Sequence, residues 1–298
     1  MTVKNRSKIC LTVSAAIMVV ALLLSLFGLG INYGIDFAGG LSMQYAMGGE
    51  YAKADVEGIL GGLDIGAYTL TEQGGNEINI RIKDISEDGV QGVQAAFEEA
   101  LLAKYPAAQR DGDVSYVGPV AGKTLLTNAF ISVLLAGALM LVYIAIRFDL
   151  NSGLAAVFGL LHDVLMMLAF MVLLRSVIQM NSSYIAAMLT IVGYSINNTI
   201  VIFDRIRENA RKAPTAPKVE VVNKSVRECL GRTINTTLTT LITIVALYIL
   251  GVDSIKEFAL PIIIGIVSGV YSANMINGYV WAFLEEKRRE RKLSPKKA

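Results

Sequence analysis

The sequence predicts an α-helical membrane protein, a six-helix transmembrane bundle with one external α+β domain between its first and second helices. Hydrophobic residues make up 54% of the 298 residues and charged residues only 17%, whereas soluble domains carry about 25% charged residues. Long uncharged runs follow one another along the chain. Between the first two runs lies a stretch in which strand-like and helix-like patterns alternate.

Six runs are long enough, at about 1.5 Å per residue, to cross roughly 30 Å of hydrocarbon. Only His162 and Asp163 interrupt the third run. The first run follows three basic residues, as a secretory signal would, but it exceeds the apolar length of about 7–15 residues typical of such signals and is therefore predicted to be an uncleaved anchor. The runs are Ile9–Ile31, Thr124–Ile146, Gly153–Leu174, Tyr184–Phe203, Thr233–Val252 and Phe258–Leu284.

The distribution of Lys and Arg predicts the orientation of the bundle. Nineteen of the 27 lie on one predicted side, and the two short loops on the other side carry only Arg175 and Lys256. Loops rich in Lys and Arg stay on the cytoplasmic side. The sequence therefore predicts a multi-pass protein of the cytoplasmic membrane with both termini in the cytoplasm. Membrane lipid, and not nucleic acid, is the partner that these basic residues indicate.

The predicted external domain covers residues 32–123, which is enough chain to fold alone. Its segments follow the order βαββαβ, which is typical of a ferredoxin-like split βαβ domain. The strands are predicted at 41–47, 67–71, 76–82 and 113–118, the helices at 51–62 and 86–106, and a turn at 73–76. The rest of the chain divides into an N-terminus with the first helix (1–31), a five-helix transmembrane region (124–284) and a basic, disordered cytoplasmic tail (285–298).

Ionisable and amide side chains inside the predicted bundle are the candidate functional residues. A charged group at mid-membrane costs a few kcal/mol or more unless it faces protein or water. Asp163 lies near the middle of the third run beside His162, so we expect this pair to face inward. In the fourth run Asn197 and Asp204 share one helix face, and Asn198 lies on the neighbouring face.

The fifth run carries a polar stripe at helical spacing. We expect this stripe to pack against the polar side of the fourth run, which would form one polar seam through the bundle. A purely structural role as a contact between helices is the alternative. In the sixth run, Gly265 and Gly269 are four residues apart, which predicts close helix contact. The stripe consists of Arg232, Asn235, Thr236, Thr239, Thr240 and Thr243.

The string "YGIDFAGG" leaves the first run and enters the external domain. Its glycines, Gly34, Gly39 and Gly40, predict a flexible hinge. We expect Asp36 either to cap the turn or to contact another external loop. Elsewhere the Cys, His and acidic residues lack metal-ligand spacing, no cofactor motif is present, and "GPVAGKT" misses the spacing of a phosphate-binding loop. No enzymatic activity is expected.

Six strings, in this order, resemble the SecF branch of the SecD/SecF family of bacterial protein-export membrane proteins. They are "GIDFAGG", "VGPVAGK", "RFD…LLHDV", "GYSINNTIVIFDRIREN", "GRTINTTLTT" and "GIVSGVYSANM". The resemblance covers nearly the whole chain. It implies a subunit that pairs with SecD, joins the SecYEG channel and acts on the translocating polypeptide. In such a subunit the proton gradient assists the late stages of export, after the motor SecA has acted.

One position departs from the family's pattern. The family typically has Asp, "GYSIND", where this chain has Asn198, and asparagine cannot release a proton. Coupling then rests on Asp163, on carboxylates of SecD, or on an ion such as Na⁺. The resemblance also implies that Arg232 is the basic residue of the seam.

Two other functions fit part of the sequence. Small-molecule exporters of the resistance–nodulation–division type share a related six-span plan, but their external domains are usually much larger than the one predicted here. A scaffold that holds SecD without carrying ions is the second alternative, and Asn198 favours it.

Overall fold

The computed structural model describes residues 3–73, 76–83, 85–112 and 114–293. Within these ranges six helical segments are long and apolar enough to cross a membrane, as predicted. In chain order the elements are α1 (Val3–Leu26), α2 (Ile35–Ala38), β1 (Gly40–Ala46), α3 (Lys53–Gly62), β2 (Tyr68–Gln73), β3 (Glu77–Ile82), α4 (Glu87–Lys104), β4 (Gln109–Arg110), β5 (Ser115–Val117), α5 (Pro119–Arg147), α6 (Leu150–Leu173), α7 (Ser182–Lys212), α8 (Lys218–Leu250), α9 (Asp253–Ser272), a π-helical turn (Ala273–Asn277) and α10 (Gly278–Leu293).

The six segments divide into inner and peripheral helices. More than half of the most apolar window is buried in α6, in α7 and in the segment that runs from α9 into α10. The corresponding windows of α1, α5 and α8 are buried by only 11%, 6% and 11%, and they expose side chains such as Leu22, Leu134 and Ile242. Lipid tails solvate such apolar side chains, and α6, α7 and α9 form the more buried core of the bundle.

Glycines allow α7 and α9 to approach closely. A Cβ atom added to Gly265 would lie 2.4 Å from Cγ1 of Ile191, and one added to Gly269 would lie 3.1 Å from Cβ of Ser195. This is the helix contact that the spacing of Gly265 and Gly269 predicts. The two inner helices therefore pack as one closely fitted pair.

The α+β domain, residues 40–117, contains one antiparallel sheet. Its strand order is β2-β3-β1, and β4 and β5 both pair with the free side of β1. This is the split βαβ arrangement that the segment order predicts. Phe97 and Leu101 of α4 and Val56 and Leu60 of α3 are fully buried in its core. The short strand β4 is not predicted by the sequence pattern.

Parts of two predicted segments lie outside the described residues. These are residues 74 and 75 of the turn and residue 113 of the last strand. The predicted tail is partly outside as well, since the structure describes it only to Leu293. From 285 to 293 the expectation of disorder is wrong, because α10 continues through it. These residues are strong helix formers without Gly or Pro, and Glu285 and Arg288 form an ion pair of 3.5 Å within the helix.

The predicted flexible hinge is held in place. The Gly34 N–H donates to the Met180 carbonyl at 2.9 Å, and the Met180 N–H donates to the Asn32 carbonyl at 2.8 Å. Asp36 accepts a hydrogen bond of 2.8 Å from the backbone N–H of Ser182, in the first turn of α7. These bonds pin the segment after α1 to the α6–α7 connection, which the glycine pattern alone cannot reveal.

Two of the predicted hinge glycines have a different structural reason. Gly39 has a φ of +81° and Gly40 a φ of +139°, which are conformations that only glycine adopts readily. A Cβ atom on Gly40 would lie 2.3 Å from the Ile82 carbonyl oxygen. The pair thus allows β1 to start directly beside β3.

Candidate functional site

The Asp163 carboxylate lies in the interior of the bundle and is fully buried. Three serine hydroxyls donate to it from two neighbouring helices. Ser268 of α9 donates to Oδ1 at 2.8 Å, and Ser272 of α9 donates to Oδ2 at 2.9 Å. Ser195 of α7 donates to Oδ2 at 2.5 Å. A carboxylate of α6 therefore holds together the three inner helices.

His162 extends this network towards α1. Its Nδ1 lies 3.0 Å from Asp163 Oδ1, and its Nε2 lies 2.8 Å from the Ser14 hydroxyl. Ser14 donates to the Tyr271 hydroxyl at 3.3 Å, and Tyr271 donates to the Cys10 carbonyl at 2.5 Å. We call Asp163, His162, Ser14, Ser195, Ser268, Tyr271 and Ser272 the Asp163 cluster.

Both ring nitrogens of His162 have a polar partner in the cluster. Nδ1 faces Asp163 Oδ1 and Nε2 faces the Ser14 hydroxyl, and which nitrogen donates depends on the tautomer of the ring. A carbonyl only accepts, so Tyr271 donates to Cys10. An imidazole and a carboxyl group are therefore in direct contact inside the bundle.

A change in the charge of Asp163 would change the hydrogen bonds that it makes. A carboxylate only accepts hydrogen bonds, whereas a carboxylic acid also donates one. The bonds from Ser195, Ser268 and Ser272 link α6 to α7 and α9, so such a change would act on the packing of these helices.

A second polar layer, the amide layer, is formed largely by the π-helical turn. Such turns leave the regular helix repeat and are frequent at functional sites. Asn277 donates to Thr199 of α7 at 2.9 Å, and Asn274 accepts from Thr233 of α8 at 3.2 Å. The same layer contains the predicted residue Asn198, which is buried and donates to Thr237 at 3.4 Å.

The predicted stripe of α8 faces outward, so the expectation that it packs against α7 is wrong. Arg232, Asn235 and Thr236 are exposed, whereas Thr233 and Thr237 face the interior. The threonines of the stripe satisfy themselves within their own helix: Thr236 donates to the Arg232 carbonyl at 2.8 Å, and Thr239, Thr240 and Thr243 also donate to carbonyls of α8. A threonine stripe therefore needs no polar neighbour.

Two predicted residues of α7 face the same exterior. Asn197 and Asp204 are exposed. Asp204 and Arg232 line an open groove of about 780 Å³ between the ends of α5, α7 and α8. The structure thus divides the predicted seam in two. His162, Asp163 and Asn198 lie inside the bundle, and Asn197, Asp204, Arg232, Asn235 and Thr236 lie on an outer face, which we call the α7–α8 outer face.

Sequence reasoning missed five of the seven members of the Asp163 cluster, namely Ser14, Ser195, Ser268, Tyr271 and Ser272. Ser14 and Ser195 are single hydroxyls in apolar runs and give no signal of their own. Ser268 could have been found, because it lies four residues before Ser272 and three after Gly265, on the face that contacts another helix. Among the described residues, no three His, Cys, Asp or Glu side chains come together as a metal-binding group.

Comparison with known proteins identifies the family. A family model described as "Protein export membrane protein SecD/SecF, C-terminal" matches residues 97–287, and the "SecD/SecF GG Motif" matches residues 24–47. The chain belongs to the SecD/SecF family. The GG motif contains Gly39 and Gly40, whose backbone conformations are described above, and the larger match contains α5 to α9 with most of the Asp163 cluster.

Curated relatives in the SecD/SecF family agree over most of the chain. The protein translocase subunit SecF of Rickettsia felis is 33% identical over 285 residues, which is 94% of this chain and 92% of the relative. The protein translocase subunit SecF of Alicyclobacillus acidocaldarius is 38% identical over 257 residues, 85% of this chain and 82% of the relative. The predicted resemblance is confirmed, and the chain is an accessory subunit of the Sec protein translocase.

Solved structures agree on the fold. SecDF of Thermus thermophilus, described as a translocon-associated membrane protein, superposes with a TM-score of 0.76 at 33% identity. The match covers 96% of this chain but 39% of the SecDF chain. SecDF in a super-membrane-facing form superposes with a TM-score of 0.67 and 31% identity, again over 39% of its length. The protein described here is therefore a multi-pass membrane protein with the fold of one part of SecDF.

Proposed function

We propose that this chain pairs with SecD, acts at the SecYEG channel, and uses the proton gradient to assist the late stages of polypeptide translocation after SecA-driven export. The Asp163 cluster is the proton-responsive part of this activity. The observation that carries the proposal is the buried contact between His162 and Asp163, with Nδ1 and Oδ1 3.0 Å apart, inside three packed helices. No covalent catalysis is involved.

The membrane potential can supply the energy for such an activity. Moving one elementary charge across the membrane potential is worth about 2.3 kcal/mol per 100 mV. Three hydroxyls from α7 and α9 are committed to the carboxylate of Asp163. A change in its charge alters all three bonds at once, and so alters how α7 and α9 pack against α6.

The α7–α8 outer face supports SecD as the neighbour. Polar side chains that face lipid are unfavourable unless another helix covers them. Asn197 and Asn235 are exposed on α7 and α8, two of the helices that are apolar enough to cross a membrane. A second membrane subunit covers these amides, and membership of the SecD/SecF family suggests SecD as this subunit. The α+β domain then lies outside the cytoplasm, with both termini inside, as the distribution of Lys and Arg predicts.

The test is translocation of a precursor protein into inverted membrane vesicles that contain SecYEG, SecD and this chain, energised with ATP. We compare vesicles with and without this chain, each with and without an uncoupler. The gradient-dependent increment is the translocation that the uncoupler removes. We expect the chain to increase this increment and to leave the ATP-driven remainder nearly unchanged.

A scaffold is the second candidate, because Asn198 replaces the titratable residue that the family resemblance leads one to expect. A scaffold would raise translocation equally with and without the uncoupler. If the increment followed a sodium gradient and not a proton gradient, the coupled ion would be Na⁺. Altered drug susceptibility without accumulation of precursors would favour a small-molecule exporter.

A further inference from the structure

Glu257, near the start of α9, connects three parts of the molecule. Its Oε1 accepts a hydrogen bond of 2.7 Å from Arg81 of β3, with which it forms an ion pair. Its Oε2 accepts a hydrogen bond of 2.5 Å from Asn181, the N-cap residue of α7. The side chains of Arg81 and Glu257 are only 18% and 29% exposed. This junction therefore binds the α+β domain to both α7 and α9.

Further bonds hold the α+β domain on the same side of the bundle. Arg81 also donates to Gln179 in the α6–α7 connection at 2.8 Å. Lys83, two residues further along the chain, donates to Asn32 at 3.1 Å, and Asp36 accepts from the Ser182 N–H. Of these contacts, the bond from Arg81 to Glu257 is the one that reaches α9.

Further along the same two helices, Ser195 of α7 and Ser268 of α9 donate hydrogen bonds to the Asp163 carboxylate. Along α9, Ser268 lies eleven residues after Glu257, which is roughly 16 Å at the rise of an α-helix. Along α7, Ser195 lies fourteen residues after Asn181, or roughly 21 Å. The α7–α9 pair is thus fixed to the α+β domain at one end and to α6 at the Asp163 cluster.

A proline in α9 affects how a displacement of the Asp163 cluster is transmitted along the α7–α9 pair. Pro261 lacks the N–H that would bond to the carbonyl of Glu257, so α9 bends most easily near this residue. In α7 the segment from Asn181 to Ser195 contains no proline. Asn181 and Arg81 both donate to the Glu257 carboxylate. The hydrogen bond from Asn181 therefore holds the start of α9 against α7, close to the bend that Pro261 allows.

We propose that Glu257 and Arg81 are positioning residues that transmit rearrangement of the Asp163 cluster to the α+β domain through the α7–α9 pair. This rests on the proposed function. When the bonds to Asp163 change, α7 and α9 shift against α6, and the ion pair with Arg81 carries this shift to β3. Without the ion pair, a shift of α9 no longer reaches β3 through this contact.

The test uses the full chain with SecD and SecYEG in inverted vesicles. The variants are Arg81→Gln, Glu257→Gln and the double variant, and the gradient-dependent increment and the ATP-driven remainder are measured separately. Arg110→Gln is the matched control, because Arg110 forms an ion pair of 3.6 Å with Glu98 within the α+β domain. We expect each single variant to lower the increment about threefold to tenfold, a size typical of coupling energies, with the remainder unchanged.

The double variant separates coupling from stability. If the two residues act as a pair, the double variant loses no more of the increment than either single variant. Equal loss of the increment and the remainder, or additive losses, would show a structural role only and would overturn the proposal. An undiminished increment in both single variants would do the same. If Asp163→Asn lowers the increment while these variants do not, the proposed function stands and this inference fails.

Discussion

Ser272 of α9 donates a hydrogen bond of 2.9 Å to the Asp163 carboxyl group of α6, and so links the helix that carries this buried side chain to the helix that reaches the α+β domain. Ser268 makes a second bond between the same helices at 2.8 Å. The Asp163 side chain is fully buried. The packing of α9 against α6 therefore depends on these two serines.

Replacing both serines tests this dependence. In Ser268→Ala/Ser272→Ala we expect a lower gradient-dependent increment and a loss of stability of about 0.6–2 kcal/mol for each bond, as for other hydrogen bonds between membrane helices. Thermal unfolding in detergent and vesicle translocation measure the two effects. Ser132→Ala is the control, because Ser132 is exposed and donates to the Asn128 carbonyl within its own helix, α5. An unchanged increment would show that the serines do not take part in coupling.

The close packing of α7 and α9 predicts opposite effects for two glycine substitutions. Gly265→Ala would place a Cβ atom 2.4 Å from Ile191, and we expect a destabilisation of about 1–3 kcal/mol from overpacking. Gly193→Ala meets no atom within 4 Å, and we expect up to about 1 kcal/mol of stabilisation from helix propensity. Thermal unfolding of both variants in the same detergent measures the difference. Equal midpoints would contradict the described α7–α9 contact.

The adjacent amides Asn197 and Asn198 differ in burial, and their alanine variants should differ in stability. Asn198 is buried and bonds to Thr237, so Asn198→Ala is expected to cost about 0.6–2 kcal/mol. Asn197 is exposed, so Asn197→Ala should leave the unfolding midpoint of the purified chain unchanged. The opposite order of stabilities would mean that the faces of α7 are wrongly assigned.

The α7–α8 outer face predicts where SecD binds. Asn235→Trp places a bulky side chain on this face, and we expect it to reduce the amount of SecD that co-purifies with the tagged chain. Leu134→Trp makes a comparable change on the exposed face of α5 and should leave co-purification unchanged. Loss of SecD from the α5 variant alone would assign the interface to α5.

The sequence predicts much of this fold because membrane helices have a strong signal. Six apolar runs are sufficient to locate the helices, and the strand and helix order predicts the sheet of the α+β domain. The cost of an ionisable group in hydrocarbon predicts that Asp163 faces inward, and its side chain is buried. These conclusions follow from the local sequence pattern and from whether a segment lies in lipid or in water.

Other features depend on partners that a single sequence does not reveal. The threonines of α8 satisfy their hydroxyls within their own helix, so their spacing cannot show which way the stripe faces. The segment around Gly34 is held by Met180, which lies far away in the sequence. Likewise, Ser14 and Ser195 can be recognised as partners of His162 and Asp163 only when the positions of α1 and α7 beside α6 are known.

The most direct test compares Asp163→Asn with Asp88→Asn in vesicles that contain SecD and SecYEG. Both variants replace a carboxyl group by an amide of similar size, but Asp163 is buried among α6, α7 and α9, and Asp88 is exposed at the start of α4 in the α+β domain. We expect Asp163→Asn to abolish the gradient-dependent increment of translocation while the ATP-driven remainder and the co-purified SecD are unchanged. Asp88→Asn should retain the increment. A full increment in Asp163→Asn would contradict the central role of the buried pair.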